Sequence, residues 1–185
     1  MERGTERPAL KWLEGQAEKE AGRDIVPSSE RRAQFIPVVG IIVVIAFFAI
    51  HQTRPTGFFT EDFGTVASVL LYGMLIAAAV PFLVRGLVGR KNLTRLFEAG
   101  AMVVVFVAHV YLLAVFPFNF THFAAPLPSS LEFLLDWVSA TLAKWVLGIG
   151  IIGSATFSVF SLLLYLTVKR LLRGRNLASQ EAELR

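Results

Sequence analysis

Residues 83–95 read LVRGLVGRKNLTR, and how this stretch is read decides the topology of the chain. Four of the eighteen Lys and Arg residues, Arg85, Arg90, Lys91 and Arg95, gather here between two long apolar runs. In water this would be an ordinary polar turn. The surrounding chain, however, has 185 residues, of which 55% are hydrophobic and only 17% charged, too apolar for one soluble core of that size. Such a chain belongs in lipid, and there basic residues report orientation before they report partners. The formal net charge of +4 is therefore no sign of nucleic acid.

Working outward from the basic stretch, four apolar runs stand out, at about residues 35–51, 63–84, 96–118 and 145–168. The first is short, about 25 Å as a helix and near the minimum for a span, with Pro37 in its first turn where a missing amide costs little. The second follows Thr60, Glu61 and Asp62, which offer a cap and negative charge at a helix start, and carries Pro81 as a kink. Pro117 stops the third. Beyond it the helical pattern continues from Ser129 to Gly174, too far for a single crossing, and has to be divided. The expected division is an amphipathic helix on the membrane surface at about residues 130–143, started by a Ser129–Glu132 capping box, followed by a span between Lys144 and Lys169.

Counted by segment, Lys and Arg fall 7, 1, 4, 1 and 5 before, between and after these spans. The positive-inside rule then puts residues 1–34, the 83–95 turn and residues 174–185 in the cytoplasm, which requires an even number of crossings. The expected fold is all-α: an integral membrane four-helix bundle over residues 35–173, with an extra interfacial amphipathic helix before the last span, in the cell membrane. Arg85, Arg90, Lys91 and Arg95 are expected to rest among anionic lipid headgroups. The arm has seven basic and seven acidic residues and is no polybasic anchor. Leu10, Leu13 and Ala17 give it an apolar stripe that suits a short helix docked on the membrane or a partner; a mobile tail is the alternative. The loop FPFNFTHFAAPLPSS at 116–130, uncharged and with four phenylalanines, is expected to lie against the membrane surface.

Chemistry has few footholds. There is no cysteine, so disulfides, thiolate metal sites and thiol redox are excluded. His109 inside the third span is the most suggestive residue, readable as a functional polar site or as packing glue. Glu98 near the cytoplasmic surface is either a proton or cation site or the i, i+3 partner of Arg95. His51, His109 and His122 lack the paired depth that haem needs and the helical spacing that a metal favours, so no cofactor or metal is expected. Ser154 has no evident base, and no enzyme is expected. Gly150 with Ser154, and Gly153 with Phe157, each four apart, are the most specific packing signals. RGLVGRKNL after the second span and KRLLRGRNL after the fourth are alike, as a duplicated hairpin or two basic helix ends would be. The functional expectation is a non-catalytic subunit or assembly partner in a membrane complex or homo-oligomer. Its partners are the bilayer and other membrane proteins or itself, with no nucleic acid. The alternative is a small-solute or proton-coupled carrier or channel working as an oligomer.

Overall fold

The computed structural model describes residues 12, 15–19 and 24–183. Among them it is all-helical, with two isolated bridges and no strand. A short helix α1 (Ser28–Ala33) leads into α2 (Phe35–Thr53), α3 (Thr65–Val88), α4 (Lys91–Val115) and the long α5 (Ala140–Glu183), with 3₁₀ turns at Phe120–His122 and Ser129–Leu134. Four segments are long and apolar enough to cross a membrane: Ser28–Thr53, Thr65–Val88, Lys91–Val115 and Ala140–Gly174.

Proline and glycine set the helix ends. Arg54 precedes Pro55 and is extended (φ −106°, ψ 122°), as the residue before a proline prefers, and α2 stops there. Gly89 ends α3 in the left-handed region (φ 68°), donating its N–H to the Arg85 carbonyl. Phe116, before Pro117, ends α4 with the unusual φ of 45°. The helix thus stops at Val115, short of the expected 118. Pro81 stays within α3, buried.

Two expected caps are replaced. Thr60 and Asp62 use their carbonyls in turns, accepting from the N–H groups of Phe63 and Gly64; Gly64 then precedes α3 with no side-chain cap. Ser129 caps nothing, and the expected helix over residues 130–143 is not one α-helix. The Trp137 indole takes the Leu134 carbonyl at 2.7 Å, the acceptor that an α-helix would offer to Val138, whose N–H turns to Leu135 instead. The helix restarts at Ala140, where the Ser139 hydroxyl accepts from the Leu142 N–H at 3.2 Å. From there α5 runs past Gly174, which the sequence offered as its end, to Glu183, about 66 Å in all.

The helices pack in chain order, each against the next. Among the four long helices, contact is most extensive between α4 and α5, then α3 and α4, and smaller between α2 and α3. The reason for the first is composition. Thr94, Ala101 and Ala108 on α4, and Leu147, Ser154, Ser161 and Val168 on α5, are buried at seven-residue spacing, so two narrow seams meet antiparallel and the backbones come close. By contrast α2 is held chiefly near its ends, and none of its most apolar window is buried.

The arm is not loose at its described residues. Ala17 is fully buried against Leu164 and Val168 of α5, and Trp12 sits 5.9 Å from the Phe160 ring. The docking expected of this stripe is therefore made within the chain; Leu10 and Leu13 lie outside the described residues. Further along, Val26 donates to the Gly89 carbonyl, and Lys91 to the Asp24 carbonyl. The arm, the α3–α4 turn and the later half of α5 thus share one end of the array, consistent with an even number of crossings.

Candidate functional site

Most of the basic stretch that interrupts the sequence converges on one cavity at the arm end. The turn between α3 and α4 is only Gly89 and Arg90, and it is clamped from outside. The Arg31 guanidinium donates from Nε to the Gly86 carbonyl at 2.9 Å and from Nη2 to that of Leu87, satisfying carbonyls that the end of α3 leaves open. A Cβ on Gly89 would stand 3.1 Å from the Arg31 side chain, so glycine serves both the positive φ and the close approach. Asp24 accepts from the Asn92 N–H at 2.8 Å, capping α4 from sixty-eight residues away.

This clamp aims Arg85, Lys91 and Arg95, all half-buried, at a cavity of about 410 Å³ between α3, α4 and α5. Glu98, Ser161, Phe157, Phe160 and Leu164 line its other walls, with Trp12 and Gln16 of the arm beside them. The Glu98 carboxylate accepts a hydrogen bond from Ser161 and lies in the field of Arg85 and then Arg95. It is therefore part of a network across three helices, rather than only the i, i+3 partner of Arg95. Arg90 is not brought in: it is exposed, and its backbone bridges to Ile25.

In the last third of α4 and the first third of α5, His109, Gly150 and Ser154 come together. The His109 Nδ1 bonds the Val105 carbonyl at 2.7 Å, one turn back on its own helix, and the ring lies so close over Gly150 that any Cβ there would collide with it. The Ser154 hydroxyl donates to the Gly150 carbonyl at 2.6 Å, and the Ser158 hydroxyl crosses to the Ala99 carbonyl at 3.0 Å. These contacts are those of helix packing. Gly153, assigned the same role from sequence, faces outward with nothing within 4 Å of where its Cβ would be.

At the far end, His51 is the buried histidine, 3% exposed. Its Nδ1 pairs with the Thr56 hydroxyl at 2.6 Å and its Nε2 with the Phe123 carbonyl at 3.2 Å, so both ring nitrogens are engaged. Phe58 lies beside it, 1% exposed, ringed by Phe48, Phe59, Phe118, Phe120 and Phe123. The phenylalanines of the 116–130 loop thus pack on the first loop of the chain, rather than spreading only on a membrane surface. Among the described residues no group of three or more His, Asp or Glu stands close enough to hold a metal.

Sequence reasoning found the cations, Glu98 and the Gly150–Ser154 pair, and missed Asp24, Arg31 and Trp12. Only Trp12 carried a signal, as the one aromatic residue in the polar arm. The chain matches no protein-family model, no curated protein and no solved structure.

Proposed function

We propose that the protein is a non-catalytic integral membrane protein of the cell membrane, its arm end cytoplasmic, acting as a subunit or assembly partner through the lipid-facing side of α5. The observation that carries this reading is one exposed stripe. Ile149, Ile152, Gly153 and Thr156 follow i, i+3, i+4, i+7 spacing and all face outward, while Gly150 and Ser154 beside them are consumed by packing on α4. The Thr156 hydroxyl is turned back onto the Ile152 carbonyl at 2.8 Å, leaving an apolar face with a notch at Gly153 where another helix backbone can approach. The limited contact of α2 with α3, against the extensive contact of α4 with α5, supports the same reading, because it leaves surface on α2 free for a partner.

Size analysis by native electrophoresis with co-purification, comparing Gly153→Leu with Gly150→Leu, tests it. Gly153→Leu is expected to leave the chain folded and dissociate it from its partner or its copy. Gly150→Leu is expected to unfold it, because the added side chain meets the His109 ring. A wild-type chain that migrates as a monomer and brings nothing with it would overturn the reading.

A further inference from the structure

The cavity at the arm end has two unlike sides. Arg85, Lys91 and Arg95 make one side cationic, whereas Phe157, Phe160 and Leu164 make the other apolar. Among the described residues that line it, three are basic and one, Glu98, is acidic, in a partly desolvated space where charges interact strongly. The Arg85 Nε is buried with no hydrogen-bond partner, a donor that ordinarily finds one. Arginine forks match the oxygens of phosphate, and a lysine adds a point charge.

We propose that this cavity binds a phosphate group, held by Arg85, Lys91 and Arg95, and that the group is the headgroup phosphate of an anionic phospholipid, whose glycerol end lies along Phe157 and Leu164. A soluble phosphomonoester shares the phosphate chemistry but has no use for the apolar wall. Trp12 of the arm, its ring tilted 38° against that of Phe160, bounds the cavity on the arm side. This differs from the diffuse attraction that any basic loop has for anionic lipid, because Arg90, equally basic and next in the chain to Lys91, lies outside the cavity. It is also independent of the Gly153 face.

The test is native mass spectrometry of the purified full-length chain in mild detergent, titrated with phosphatidylglycerol, with the uncharged diacylglycerol, and with glycerol 3-phosphate. Wild type is expected to retain one phosphatidylglycerol and no diacylglycerol. Arg85→Ala and Arg95→Ala should each weaken retention about tenfold, the size of one lost charge-assisted hydrogen bond, whereas Arg90→Ala leaves it unchanged. Retention of one glycerol 3-phosphate in place of the lipid supports the phosphate site and overturns its lipid source. Equal weakening by Arg90→Ala, or no saturable binding of either phosphate compound, overturns the site itself. Should the arginine variants not fold, Lys91→Gln gives a milder change. The emission of Trp12, in a chain whose Trp137 and Trp145 are replaced by Phe, gives a second readout that shifts with phosphatidylglycerol and not with diacylglycerol.

Discussion

At the arm end, the link between α3 and α4 takes two residues and draws its partners from far away in sequence: Asp24 and Val26 on one side, Arg31 on the other. At the opposite end two long loops meet each other, Phe58 accepting from the Asn119 N–H at 2.6 Å and Thr60 donating to the Pro117 carbonyl at 3.1 Å, and cover themselves with phenylalanine rings. Both arrangements solve one problem, since backbone polar groups near lipid must be paired within the protein. A turn of two residues has too little chain to pair itself, so charged groups from the arm do it. A long loop pairs with another loop and then needs dry side chains to keep water from competing. The first solution is electrostatic and modular; the second is packed and collective.

The largest expected effect therefore lies at the aromatic end. Phe58→Ala should cost about 3–5 kcal/mol, as other buried large-to-small changes do, because six aromatic neighbours lose their common contact. Thermal unfolding in detergent reads this, and a shift no larger than that of an exposed control such as Phe133→Ala would break the comparison. Next comes Arg31→Ala, expected at about 2 kcal/mol for charge-assisted bonds to two carbonyls. Its mark is local: amide hydrogen exchange should quicken around residues 86–92 and stay unchanged around Phe58. Asp24→Ala should cost about 1 kcal/mol, the usual worth of a helix cap, and Asp24→Asn much less because asparagine caps as well. If Asn were as damaging as Ala, the role of Asp24 would be its charge and not its hydrogen bond.

How much of this could be read from the sequence divides along the same line. The spans were legible because apolar length and charge alternation are local properties, and Pro55, Gly89 and Pro117 mark helix ends with local physics. The like stretches RGLVGRKNL and KRLLRGRNL show where that stops. Gly89 ends a helix, whereas Gly174 sits inside one. Gly89 has the Arg31 side chain against it and a hydrogen bond from Val26 to its carbonyl; nothing stands within 4 Å of a Cβ at Gly174. Similar residues adopt different backbones because distant partners differ, and no window of sequence contains those partners. The segment at 130–143 follows the same logic: a pattern compatible with α-helix yields to one indole–carbonyl bond from Trp137. The cavity was half legible, since the cations were visible as a cluster on one turn, while Ser161, Phe160 and Trp12 reach it only through the antiparallel meeting of α4 and α5 and the folding back of the arm.

The smallest effect sharpens the contrast most. Raising salt from about 0.1 M to about 1 M shortens the screening length from roughly 10 Å to roughly 3 Å, which weakens exposed and half-buried charge interactions and leaves dry packing untouched. The Arg31 and Asp24 contacts are half-buried at most, so the expected loss is under about 1 kcal/mol. Global unfolding barely registers a change of that size, but exchange at residues 86–92 should, with residues 56–60 as the internal control. Equal response at both ends would mean that the aromatic layer is wet and its loops are held by polar contacts. No response at either would mean that the Arg31 bonds are as sequestered from solvent as Phe58, and the arm would then be an integral part of the membrane domain rather than a strap laid across its end.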